Sequence, residues 1–264
     1  MIVTDELHRD EPTHTYWKTK EKKRVVGVTE LLAAHRYVDG GRYAKPFHLR
    51  RGKNAHLALH YHEKGLLGQG PGLDRDALSP AIRPYVDSYD KLVAALQPTI
   101  LHTEIFLFDP IGQLACQCDS VWRLGRDRIV VDYKTGPVYD WVKYQTAAAV
   151  NGLLTDERHR TRNERIRRFG VQLMADGSQA QLTEFEEPPD LMRVRMLAAT
   201  FYTWVNDGVW PWPQTIDQLQ TERSDRNGLE LFPGADANGG AADRNGETEA
   251  EPAAAAGPDA AAAE

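Results

Sequence analysis

The chain has 264 residues, of which 41% are hydrophobic, and a formal net charge of −6 at pH 7; this is enough apolar material for one large folded domain or two small ones. No run approaches the roughly 18 apolar residues of a membrane span, and residues 1–6 lack the basic and apolar parts of a secretory signal, so neither a membrane protein nor a secreted one is predicted. Cys116 and Cys118 are too few for a disulfide framework, and the predicted setting is the reducing cytoplasm of a bacterial host cell.

The acidic balance comes from one end of the chain. Residues 233–264 contain seven acidic side chains and one basic side chain among Ala, Gly, Pro and Asn, so they carry the whole net charge. Such a segment cannot bury enough apolar surface to offset the entropy of ordering it. We predict a folded, electrically neutral domain over residues 1–232 and a disordered acidic tail over residues 233–264. The net charge therefore does not exclude a nucleic-acid partner.

Hydrophobic periodicity predicts the elements of the folded part in chain order. Residues 1–23 are polar and are predicted to form irregular or edge structure, and helical patterns follow over residues 28–35, 49–64 and 80–96. The period then changes to two, which predicts strands over residues 99–108, 113–122 and 128–134. A helix over residues 139–154, strands over 168–175 and 179–185, and a helix over 190–205 complete the pattern. The predicted fold class is α/β, with a central mixed sheet that contains an antiparallel meander and is flanked by helices.

The meander brings acidic residues together. With tight turns, Glu104 faces Gln117 and lies diagonal to Asp119 across the first pair of strands. Across the second pair, Asp119 lies directly opposite Asp132. Asp132 and Lys134 share one face of their strand because successive side chains alternate. The sequence therefore predicts a cluster of three carboxylates and one ammonium on one face, which a slip of one residue in register would destroy.

This cluster has an excess of negative charge. Directly opposed side chains lie roughly 4.5–5.5 Å apart at Cβ, where like charges repel. A shared proton or a bound cation relieves the repulsion, and hard oxygen ligands favour Mg²⁺ or Mn²⁺. Lys134 would then lie beside the metal, where an ammonium can orient a water or stabilise charge on a phosphate. The predicted cofactor is Mg²⁺ or Mn²⁺.

The order of these motifs resembles the PD-(D/E)XK nuclease superfamily, and within it the RecB-type and phage exonuclease branch. The likeness spans about residues 14–185. It rests on a Gly-x-x-x-His pattern at residues 52–56, Glu104, Asp119, an Asp-Tyr-Lys-Thr-Gly run at residues 132–136, and Gln145. This sequence departs from the family pattern at two positions, where Cys116 replaces a Gly and Ala149 replaces a Tyr.

The resemblance implies a restriction-endonuclease-like core and a role for each matched residue. The metal ligands would be His56, Asp119, Asp132 and the backbone carbonyl of Tyr133. The catalytic set would be Glu104, Asp119, Asp132, Lys134 and Gln145. The implied reaction is metal-dependent hydrolysis of DNA phosphodiesters, and the branch implies a phage-type exonuclease acting in recombination or repair. The resemblance implies DNA as the main partner. It also implies two further partners, a single-strand annealing protein and other copies of this chain.

Other interpretations compete with this one. A catalytically silent DNA-binding or assembly protein on the same fold is the main alternative, although such a protein has no need for repelling carboxylates. His56 and His60 have the spacing of a zinc-protease helix, but Leu57 stands where that motif needs Glu. A concentrated run of arginines at residues 158–168 predicts phosphate contacts, and Arg165, Arg167 and Arg168 are its candidate DNA-binding residues.

Overall fold

The computed structural model describes residues 7–10, 15–18, 20–38, 46–159, 164–210 and 212. The predicted acidic tail, residues 233–264, lies outside the described residues, as does part of the arginine run. In the ranges that are described, no helix combines the length and the apolar character needed to cross a bilayer.

Within the described residues, eight strands form one mixed sheet. They are β1 (Leu7–Asp10), β2 (Thr15–Lys18), β3 (Lys23–Gly27), β4 (Thr99–Asp109), β5 (Leu114–Leu124), β6 (Asp127–Lys134), β7 (Ile166–Gln172) and β8 (Gln181–Glu184). The order is β1-β2-β3-β5-β6-β7-β8, with β4 paired to β5. Two pairs run parallel, β3 with β5 and β6 with β7, and the other pairs run antiparallel. The predicted meander is β4-β5-β6, and the predicted α/β class with a mixed sheet is confirmed.

In the part of the chain that the structure describes, five helices flank this sheet: α1 (Val28–Ala34), α2 (Pro46–Leu66), α3 (Arg83–Leu96), α4 (Val142–Thr155) and α5 (Pro189–Asn206). The sequence predicts that α2 ends before Gly65, but the helix continues through it. A Cβ at Gly65 would lie 2.7 Å from the Cα of Gly72. This glycine therefore permits close packing of two backbone segments and does not end the helix.

The N-terminal strands depart from the prediction for residues 1–23. The first strand, β1, does lie at an edge of the sheet, but β2 is paired with strands on both sides, and both are regular strands. The next strand, β3, is interior: Val25 and Val26 are buried, and Val26 pairs with Leu114 of β5 in parallel. Strands of four or five residues are too short to show a clear alternation of apolar and polar side chains in the sequence. Pairing with distant strands determines their conformation.

The helices form a layer on each side of the sheet. One apolar cluster joins α1, α4 and α5 to the sheet through residues such as Leu31, Leu153 and Phe201. A second cluster joins α2 and α3 to the other side through residues such as Leu59 and Tyr89. Both clusters include residues of β4, β5 and β6, and these strands carry the candidate site.

Candidate metal centre

The candidate site lies where β5 and β6 separate. The two strands pair from Leu124–Asp127 to Ser120–Val131, which is the register predicted from the sequence. The next opposed residues are Asp119 and Asp132, two of the three predicted carboxylates. Asp119 leaves the ladder here, and its Oδ2 accepts a hydrogen bond of 2.7 Å from the backbone N–H of Tyr133.

The pairing of β4 with β5 corrects the predicted register by two residues. Phe106, and not Glu104, pairs with Gln117, because Asp109 pairs with Leu114 and leaves four residues in the turn. A shift of two residues preserves the face of each side chain. Glu104 consequently occupies the position opposite Asp119, while its side chain still accepts a hydrogen bond from the Gln117 amide.

The backbone at Glu104 is unusual. Its φ is +50°, in the left-handed region that residues other than glycine rarely adopt. The backbone pairs on either side are Thr103–Ser120 and Ile105–Cys118, so the irregular residue is opposite Asp119. Local backbone strain of this kind costs of order 1–3 kcal/mol and clusters at functional sites.

Helix α2 supplies a third ligand group. The His56 Nδ1 lies 3.4 Å from the Asp119 Oδ2. One potential ligand atom from each of His56, Glu104 and Asp119 lies within 4.8 Å of the other two, and all three side chains are half-buried. The structure thus brings together two of the predicted ligands, His56 and Asp119, with Glu104, which the resemblance placed in the catalytic set as a support for the metal site or the water.

Lys134 lies in a second group beside Asp132. Its Nζ makes an ion pair with the Asp132 carboxylate and donates a hydrogen bond of 3.2 Å to the Gln145 Oε1 on α4. The Gln145 amide in turn donates to the Thr29 hydroxyl of α1, at 3.4 Å. The structure therefore brings Asp132, Lys134 and Gln145 together.

The electrostatics of the three ligand groups reflect crowding of negative charge. Burial, followed by the charge of Asp119, raises the pKa of Glu104 to about 8. Burial also opposes ionisation of Asp119, but the attraction and hydrogen bond of His56 lower the pKa of that carboxyl below its usual value. Burial opposes ionisation of His56, but the charge and the hydrogen bond of Asp119, with the charge of Asp132, together outweigh it and raise the pKa of the imidazole. Two carboxylates and one imidazole are donors that suit a divalent metal, so the residues fit such an ion.

A residue that the sequence analysis missed lies beneath the site. Glu63 of α2 is fully buried. Its Oε1 accepts hydrogen bonds from Tyr133 OH at 2.7 Å, Ser120 Oγ at 2.8 Å, Tyr89 OH at 2.9 Å and Trp122 Nε1 at 3.3 Å. The available signal was an acid seven residues after His56, on the same face of the helix. An acid on a buried helix face needs partners.

Glu63 connects the elements that carry the site. Ser120 follows Asp119 in β5, Tyr133 lies between Asp132 and Lys134 in β6, and α2 carries His56. Burial raises the pKa of Glu63, although the hydrogen bonds from Tyr133 and its other donors favour the carboxylate. By holding α2 against both strands, Glu63 positions the ligand groups without belonging to them.

The three candidate DNA-binding arginines have different environments. Arg165 is exposed. Arg167 makes a two-pronged ion pair with Glu184, with both N–O distances 2.7 Å. Arg168 is buried and donates to Asp190 at 2.9 Å and to two backbone carbonyls. The prediction of a phosphate contact is therefore wrong for Arg168, because its guanidinium is enclosed and fully engaged inside the domain.

Comparison with known proteins finds only weak likenesses. No protein-family model matches the chain, and no curated protein matches it. The alkaline exonuclease LHK-Exo of Laribacter hongkongensis overlaps at a TM-score of 0.39 and 10% identity, over 77% of this chain and 94% of that one. The same protein in complex with dAMP gives a TM-score of 0.34, at the same identity and coverage. SSO0001 overlaps at a TM-score of 0.34 and 17% identity, over 69% of this chain and 76% of that one. Overlaps of this size carry no argument about activity.

Proposed function

We propose that the chain is a metal-dependent deoxyribonuclease of the PD-(D/E)XK type, which hydrolyses DNA phosphodiesters. The observation that carries this proposal is the convergence of His56, Glu104 and Asp119 to within 4.8 Å, beside the ion pair of Lys134 with Asp132 on the neighbouring strand. A crowded set of metal ligands next to a fixed ammonium suits chemistry on a phosphate, where negative charge must be stabilised.

The ligand groups and Lys134 have different proposed roles. His56, Glu104 and Asp119 would hold Mg²⁺ or Mn²⁺, with Asp132 and the Tyr133 carbonyl as further ligands on the adjoining strand. A bound divalent ion lowers the pKa of a water and stabilises charge on the phosphate. Asp132 and Gln145 both bind the ammonium of Lys134 and hold it in place. Because its position is fixed before the substrate binds, the ammonium can attract the phosphate or orient the attacking water at a smaller cost in entropy.

The finer assignments follow from the resemblance alone. We extend the proposal to a phage-type exonuclease that acts in recombination or repair in the cytoplasm of a bacterial host. DNA is its proposed partner, and a single-strand annealing protein and further copies of this chain are proposed in addition. Arg165 remains a proposed phosphate contact, and Arg167 could join it only by giving up its ion pair with Glu184.

A nuclease assay on three forms of DNA tests the proposal. The full chain is expected to cleave linear duplex DNA in Mg²⁺ or Mn²⁺ and to lose this activity in EDTA, because the carboxylates have no catalytic role without the metal. Release of nucleotides from linear but not circular DNA would identify an exonuclease, and nicking of circles an endonuclease. Absence of metal-dependent cleavage of linear, circular and single-stranded DNA would contradict the proposal and favour a catalytically silent DNA-binding protein.

A further inference from the structure

A pair of aromatic rings lies beside Lys134, in the segment that leads into α4. The rings of Tyr139 and Trp141 are nearly parallel, at 16°, with their centroids 6.4 Å apart. The Lys134 Nζ lies 5.4 Å from the centroid of the Trp141 ring. This second contact links the aromatic pair directly to the candidate catalytic ammonium.

The two rings differ in burial. Trp141 is partly buried and packs against the apolar cluster under α4, so the protein interior supports it. Tyr139 stacks on Trp141 and is 57% exposed. A single exposed aromatic side chain is common and needs no explanation. Here the exposed ring stacks on a supported one, and the supported ring in turn contacts the Lys134 ammonium, which gives a fixed aromatic surface at the edge of the candidate site.

We propose that Tyr139 and Trp141 form a stacking platform for one base of single-stranded DNA, next to the phosphate that Lys134 attracts. The proposal rests on the proposed nuclease function and adds a substrate-binding site to it. Every nucleobase has a π face that can stack on an aromatic ring, so such a platform tolerates any sequence. Because Lys134 contacts the Trp141 ring of the platform, the base that stacks there and the phosphate that Lys134 attracts belong to the same nucleotide or to adjoining nucleotides.

A double-mutant cycle between the protein and the DNA tests this platform. Affinity for fluorescent single-stranded oligonucleotides is measured in Ca²⁺, with electrophoresis to verify that the DNA stays intact. The DNA series has one abasic nucleotide at each successive position. Tyr139→Ala should weaken binding of the complete oligonucleotide by about 5- to 150-fold. The loss should disappear when the abasic nucleotide occupies one particular position, because the stacking partner is then already absent.

Two further variants separate stacking from simple apolar contact. Tyr139→Phe should restore the affinity that Tyr139→Ala loses, whereas Tyr139→Leu, which has bulk but no ring, should not. Tyr37→Ala is the control, since Tyr37 is also exposed but meets Tyr144 edge-on; it should show no coupling to any nucleotide.

Failure of the platform is distinguishable from failure of the nuclease proposal. A loss of affinity in Tyr139→Ala that is the same for every position of the abasic nucleotide, or no loss of affinity at all, would overturn the platform. Metal-dependent cleavage by the wild type would still support the nuclease proposal. Equal affinities of Tyr139→Leu and wild type would also overturn it. A wild type that cleaves no DNA but shows coupling at one position would leave the platform standing on a protein that only binds DNA.

Discussion

Replacement of Asp119 by Asn is expected to lower the rate of DNA cleavage by at least about 10³-fold. Asp119 is central to the candidate metal centre: its carboxylate meets His56 at 3.4 Å and the Tyr133 N–H at 2.7 Å. Asn has the same size and retains an oxygen that can accept from Tyr133. The substitution therefore removes the charge that attracts the metal while preserving most of the local structure.

Cleavage of linear duplex DNA in Mg²⁺ gives the rate for Asp119→Asn, and calorimetric titration with Mn²⁺ gives its metal affinity. Both the rate and the affinity should be lower than in the wild type. Circular dichroism verifies the fold. Asp87→Asn is the matched control, because Asp87 is a partly exposed acid on α3 that pairs with Arg75; its rate and metal affinity should equal those of the wild type. An Asp119→Asn protein that cleaves at the wild-type rate would exclude Asp119 from the chemistry.

The second large effect concerns stability. Replacement of Glu63 by Ala is expected to reduce the free energy of unfolding by at least about 3 kcal/mol, since it leaves buried donors without an acceptor. Four donors, from Tyr89, Ser120, Trp122 and Tyr133, share the Glu63 Oε1. Urea unfolding of the full chain followed by fluorescence measures the loss.

Two variants make the interpretation of Glu63 specific. Glu63→Gln retains an acceptor oxygen and should recover part of the stability that Glu63→Ala loses. Glu187→Ala removes a carboxylate whose side chain is 60% exposed and pairs with Arg193, and it should change stability by less than about 1 kcal/mol. Equal losses for Glu63→Ala and Glu187→Ala would show that the buried network contributes little to the fold.

The sequence predicts one register of the meander correctly and the other with a shift of two residues, and the turns explain why. Between β5 and β6 the turn has two residues, with Gly125 at a φ of +61° in its first position, which is a familiar hairpin geometry. Between β4 and β5 the turn has four residues, and sequence alone did not distinguish four from two. Since the shift is even, Glu104 still reaches Asp119.

Other features of the site depend on contacts that are distant in the sequence. The left-handed backbone of Glu104 arises where the strand pairing lapses, and no local pattern marks it. The partners of Glu63 come from three other elements. In the sequence, Arg168 belongs to a run of arginines that predicts a basic surface. In the structure, it forms an ion pair with Asp190 on α5. In each case, tertiary packing determines a role that residue type and spacing leave open.

The group of His56, Glu104 and Asp119 is proposed to bind a divalent metal, and Lys134 beside it is proposed to act with that metal in the cleavage of DNA. Wild type and Lys134→Ala are compared in the same cleavage assay, after calorimetry has established that each binds Mn²⁺. We expect metal-dependent cleavage by the wild type and a loss of at least about 100-fold in Lys134→Ala, because the substitution removes the ammonium but none of the proposed ligands. Equal cleavage rates for the two proteins at equal Mn²⁺ occupancy would show that Lys134 and the metal do not act together in cleavage.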